Sequence, residues 1–214
     1  MDKLFALTWI AMLIAMAGDL LVSVVLSFGY RGYSRMKDSI SALGNPESPV
    51  RIPFNIWMLI EGILFLAALP AFFLYYREVS LGLAVTAMVF IAVFAVGACI
   101  LTCFFSVNKD RNIVTTASKI HGIGSVTGFM LFLFVPVLLA VMSFKNGEIF
   151  LGVTSIISFV FALITFVLFV MSDKPEFSKS FIANEGLWQR LNLLFMYLPL
   201  FAAATVRLAE SLDL

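Results

Sequence analysis

Charge is what this sequence has least of. Lysine and arginine number 14, aspartate and glutamate 13, among 214 residues, whereas soluble domains carry about 25% charged residues. The formal net charge is +1, and no basic tail or extramembrane domain is present to grip nucleic acid. Histidine occurs once and cysteine twice. Zinc sites normally take three or four Cys, His or carboxylate ligands, and with a single histidine the combination that suggests itself is a trigonal one of Cys99, Cys103 and His121. Two cysteines four residues apart in an apolar stretch read more simply as packing. Both thiols fall in membrane-type segments and provide no disulfide framework. No paired haem histidines, phosphate-binding loop or mid-helix retinal lysine is present, so the sequence names no cofactor.

What is abundant is apolar sequence. Hydrophobic residues make up 62% of the chain and mean hydropathy is +1.04. They come in blocks that reach the roughly 20 residues a bilayer-crossing helix needs. Segments of about 10 alternating residues, the mark of a transmembrane β-barrel, are lacking. The expected fold is all-α, a polytopic membrane protein with a compact six-helix bundle forming one domain over 1–214. The spans are read as 5–28, 53–76, 81–107, 116–144, 149–171 and 187–209. The first block is too long for a signal-peptide core and no small-residue cleavage site follows it, so it is read as a retained helix. Neither end carries a lipidation signature.

The connections alternate in character. Those near Arg77 and Glu78, and near Lys145 to Glu148, are hairpin-tight; the other three are longer and polar. The long-loop side holds 10 of the 14 basic residues, the hairpin side Lys3, Arg77, Lys145 and Arg207. The positive-inside rule then puts the long loops in the cytoplasm and both termini outside. The first long loop, GYSRMKDSISALGNPESPVRIPFN, is the longest polar interval in the first half. Its prolines restrict the backbone and Gly44 with Asn45 favours a turn. Met36, Ile40 and Leu43 fall at near-helical spacing, which predicts a short amphipathic helix lying on the bilayer or over the bundle.

Several polar residues sit where lipid-type sequence surrounds them. Asp19 and Glu61 lie within two adjacent spans, roughly 10–17 Å from the long-loop side at 1.5 Å per residue. A carboxylate at that depth must face the bundle and find a partner, or carry a proton. A purely structural buried pair and a ligand or proton role both fit. His121, in SKIHGIGSVTGF, has Ser125 one turn away on the same helical face. Gly122 and Gly128 allow close helix approach or leave room for something bound. The last span opens NEGLWQR: Asn184 is placed to cap it, and Gln189, Arg190 and Asn192 enter the same polar layer. Pro70, Pro136 and Pro199 interrupt three spans without being diagnostic.

Some of these motifs have a family likeness. Tyr33 and Ser34, the DSISALG run (38–44), Ser48 and Pro49, and Phe54 with Asn55 resemble the first loop of a bacterial and archaeal membrane family. That family is catalogued as the domain of unknown function numbered 998. KIHGIG, with Lys119 and His121, is similar to the opening of its fourth helix, and GLWQR (186–190) to the motif opening its last. The resemblance spans nearly the whole chain and implies a bundle of about six helices. It brings no assigned reaction.

From the residues, the expected function is binding of a membrane lipid or amphipathic small molecule in a polar cleft on the long-loop side. Arg190, Lys119 or Arg111 would hold an anionic group, and Asp19 and Glu61 would organise the interior. Asn192 and Asn55 would add contacts, with His121 and Ser125 meeting the ligand head. Two alternatives stay open. One is an intramembrane lipid or thioester hydrolase using His121, Ser125 and Asp19; the other is a proton-coupled small-solute transporter using Asp19 or Glu61. Protein partners are not specified by the sequence.

Overall fold

Each apolar block folds as a helix and ends where the chain's chemistry changes. The computed structural model describes residues 2–110 and 113–212, so Arg111, one of the expected anion-holding residues, lies outside the described residues. Six helices long and apolar enough to cross a membrane run Lys3–Ser27, Arg51–Tyr76, Leu81–Phe104, Thr116–Lys145, Ile149–Ser172 and Glu185–Ser211. No strand occurs among the described residues. The third span stops three residues before the expected end at Val107. Phe105 turns to an extended backbone (φ −117°, ψ 100°), and its carbonyl is bound by His121 instead of by the helix.

In lipid, helices gain little from hiding apolar surface and are held by close packing. The third and fourth spans meet backbone to backbone. A Cβ added at Gly97 would lie 2.5 Å from the Gly124 carbonyl oxygen, and one at Gly124 would lie 2.6 Å from that of Gly97. At the bundle centre Phe65, Phe94, Phe132 and Tyr197, from four spans, pack with ring centroids 4.6–6.2 Å apart. Each such pair contributes about 0.5–1.5 kcal/mol beyond burial.

Two irregularities shape the space around the polar residues. Residues Ala95–Ile100 form a π-helical turn, a bulge that re-aims side chains and is frequent at functional sites. It is accommodated because Gly62 has no side chain: a Cβ there would lie 2.8 Å from the Ala95 carbonyl oxygen. The fourth span breaks at Leu133 and Phe134 and resumes as Val135–Lys145 with Pro136 in its first turn, where the missing N–H is not needed. Its first half packs on the third span, its second half on the fifth. A wedge therefore opens between the first half of the fourth span and the fifth.

One local expectation is sharpened and another corrected. The short helix expected in the first loop is a 3₁₀ turn at Ile40–Gly44, and of its two expected placements it takes the one over the bundle. Ile40 and Leu43 are buried in the bundle while Met36 is exposed, because the loop folds inward over the helix ends. Asn184 makes no side-chain cap to the last span. The 3₁₀ turn Phe181–Ala183 brings the Phe181 carbonyl within 2.8 Å of its amide, which donates there instead.

Candidate functional site

The first loop is fastened to the start of the last span by contacts that use four of the five residues of GLWQR, each differently. Gly186 lets the helix reach the loop: a Cβ there would collide with the carbonyl oxygens of Asp38 and Arg35. Leu187 N–H donates to Met36 O at 2.9 Å, and Gln189 Oε1 accepts from Ile40 N–H at 2.7 Å. Arg190 donates from Nη1 to Arg35 O (2.8 Å) and Gly186 O (2.9 Å), and from Nη2 to Tyr33 Oη (2.7 Å). Tyr33 in turn donates to Ser39 O at 2.9 Å. Burial pushes the Tyr33 phenol above its ordinary pKa, partly offset by the Arg190 guanidinium beside it, so it stays a neutral donor at physiological pH. Arg190 is thus a clamp on loop carbonyls.

Beneath that loop lies a chamber of about 30 Å³ whose walls include Asp19, Glu61, Cys99, Ser125 and Gln189. Asp19 Oδ2 accepts from the Tyr197 hydroxyl at 2.7 Å. Glu61 Oε1 accepts from the Cys99 thiol at 3.6 Å, a contact set by the π-helical turn that carries Cys99. Glu61 is completely buried, yet its Oε2 has no hydrogen-bond partner. The indole of Trp57, one turn before Glu61, rests over Gly18, where any Cβ would overlap the ring. Its Nε1 is also buried, close to the Glu61 carboxylate but without a well-aligned hydrogen bond.

Above the chamber, and sharing Ser41, Ser125, Phe129 and Gln189 with it, is a cleft of about 980 Å³. Its lining is segregated. Toward the loops it is polar, with Tyr30, Asp38, Asn45, Lys109 and His121; along the wedge between the fourth and fifth spans it is apolar, with Val126, Phe129, Met130, Phe166 and Phe169. Phe129 and Phe169 stack across the wedge, centroids 6.4 Å apart. Among the described residues, Arg31 and Lys109 are the cations in the lining. Lys109 pairs with Glu47 at 2.7 Å, which holds its ammonium above the ordinary lysine pKa. His121 is buried, its Nδ1 2.9 Å from Phe105 O. A carbonyl can only accept, so Nδ1 bears the proton and neutral His121 presents Nε2 as an acceptor.

The candidate residues thus divide. Asp19, Glu61 and Ser125 share the chamber, and His121 joins Ser125 in the cleft wall. Ser125 Oγ has no partner, so it is not hydrogen-bonded to His121. Arg190 lines neither space. Asn192 faces the fifth span, donating to Ala162 O at 2.8 Å with its own Oδ1 unpartnered. Asn55 abuts Gly44, and Lys119 is exposed. Among the described residues no three His, Cys, Asp or Glu side chains are grouped to hold a metal ion. Tyr197 and Trp57 were not singled out from sequence. A tyrosine seven residues after Arg190 in an apolar helix was the available signal, since it shares that face and a buried hydroxyl seeks a partner.

The helices, the inward-folded loop and the buried polar layer define a six-span helical membrane protein. Residues 10–206 match the family described as Protein of unknown function (DUF998), and the chain belongs to that family. No curated protein and no solved structure gives a significant match.

Proposed function

We propose that the protein binds an amphipathic or lipid-derived ligand in the cleft, its chain in the wedge between the fourth and fifth spans and its head under the first loop. The observation that carries this reading is the segregated lining of a space of about 980 Å³, aromatic and aliphatic on one side and polar on the other. That volume is at the upper end for small-molecule sites and suits one acyl chain with a compact head. The first loop is the polar wall, and its fastening to the last span by Gly186, Gln189 and Arg190 keeps that wall in place. Catalysis by His121 and Ser125 is the weaker reading, because an activated serine needs its base within hydrogen-bond reach and Ser125 Oγ has no partner.

The test uses Gly122, which lines the cleft and where an added Cβ meets open space. Gly122→Trp should fill the polar end of the cleft without disturbing helix packing. Native mass spectrometry of protein extracted in mild detergent should show an acyl-chain adduct on the parent protein and its loss from Gly122→Trp at unchanged melting temperature. An adduct retained equally by both would place the ligand elsewhere.

A further inference from the structure

We propose that the chamber beneath the cleft receives a primary ammonium group, so that the ligand class is a long-chain primary amine. This rests on the cleft reading above and specifies the charge and size of the head. Asp19 and Glu61 are brought together at the inner end of the cleft, and among the described residues the lining of their chamber contains no lysine, arginine or histidine. Arg190 acts on Asp19 only at a distance, with its Nη atoms held by the loop carbonyls and Tyr33.

The second observation is independent of the acids' proximity. Glu61 is completely buried and lines the chamber; the Trp57 indole N–H lies beside its carboxylate but forms no well-aligned hydrogen bond, which leaves Oε2 unsatisfied. Buried carboxylate oxygens ordinarily have donors, and a charge left unpaired in a dry site is costly. An N⁺–H group supplies both the missing donor and the missing charge. Ser125 Oγ, at the waist between cleft and chamber, is also unpartnered and is placed to accept a second N–H.

Size narrows the class. The chamber's volume of about 30 Å³ is room for one or two water-sized groups. An –NH₃⁺ head fits there; a trimethylammonium, with three further carbons, does not. The alkyl chain would pass the waist at Phe129 into the apolar wedge.

The experiment is photolabelling of the full chain in lipid nanodiscs with a dodecylamine carrying a diazirine on its alkyl chain. Label should fall on the stretches around Phe129–Met130 and Phe166–Val170. Excess dodecylamine should remove it, while dodecanol and dodecyltrimethylammonium should compete about tenfold less well, the worth of one charge-assisted hydrogen bond. Glu61→Gln should lower labelling by a similar factor. If either substitution prevents folding, the competitor series on the parent protein decides alone. Equal competition by dodecanol and the amine, with label lost in Gly122→Trp, would overturn the amine proposal and keep the cleft. Label that survives Gly122→Trp would overturn both.

Discussion

Two sets of buried charge sit toward opposite ends of the bundle, and they are built differently. On the hairpin side Arg207, with its side chain 2% exposed, is flanked by two carboxylates. It donates to Glu148 and, at 2.7 Å, to Glu210, while its guanidinium lies 4.1 Å from the Tyr75 ring centroid. Asn146 adds a 3.0 Å hydrogen bond to Glu148. Not every atom is satisfied there, since Arg207 Nε and Tyr76 Oη lack partners. Yet anion meets cation, and the set ties together the ends of the second and last spans and the turn before the fifth. Under the first loop, Asp19 and Glu61 share a chamber with no cation among the described residues of its walls. The first arrangement is a fastener; the second is half of an interaction. The same comparison tempers topology read from charge: Arg207 is held in a buried network and Arg190 in a loop clamp, so neither is free to respond to a membrane potential or to lipid headgroups.

The largest effect that would test this contrast is expected from Arg207→Ala. Removing one member of a buried pair leaves the other charges uncompensated, at about 3 kcal/mol, the lower end of the usual range because Glu148 retains some exposure. Unfolding in detergent followed by circular dichroism measures it. A loss below about 0.5 kcal/mol, the level of an exposed pair, would mean that water reaches the network and that it is no fastener. Gly186→Val comes next, at about 2 kcal/mol from overpacking, because the obstacles are the Asp38 and Arg35 backbone carbonyls and not a movable side chain. Limited proteolysis should show faster cutting within residues 34–39; unchanged cutting would detach the loop from the last span as an explanation of GLWQR. Arg190→Ala should cost about 1–2 kcal/mol, one or two charge-assisted hydrogen bonds to the loop net of solvent replacement. It should raise cutting at the same residues, whereas a fall in ligand adduct without loosening of the loop would reassign Arg190 to the ligand.

Why some of this could be read from the sequence and some could not is a matter of range. The spans were legible because lipid demands long apolar helices with internally satisfied backbone, and the resulting ends differ from the expected ones by a turn or less. Asp19 and Glu61 stood out for the same reason, as groups that lipid punishes. Their meeting with Tyr197 and Cys99 did not, because it depends on a π-helical turn at 95–100 and on which helix faces which. Arg190 looked like an anion holder because its sequence position gives depth but not partners; the carbonyls it binds belong to a loop about 150 residues away. The wedge required the break at Leu133, and proline alone does not say how far two half-helices diverge.

The smallest expected effect has the opposite sign, which makes it the sharpest discriminator between the two charge sets. Glu61→Gln keeps the side chain's shape and its acceptor for the Cys99 thiol, and it removes a carboxyl group for which the described chamber walls offer no cation. Without added amine, stability should stay level or rise by up to about 1 kcal/mol, since a buried carboxyl with no cation beside it is replaced by a neutral amide. With saturating dodecylamine the order should reverse: the parent protein should be stabilised by the ligand and the variant should not. Paired melting curves with and without amine give both signs in one measurement. A loss above about 1 kcal/mol in the amine-free Glu61→Gln protein would show that Glu61 is anchored as firmly as Arg207. The two ends of the bundle would then be alike, both fasteners, and the chamber would have no role in binding.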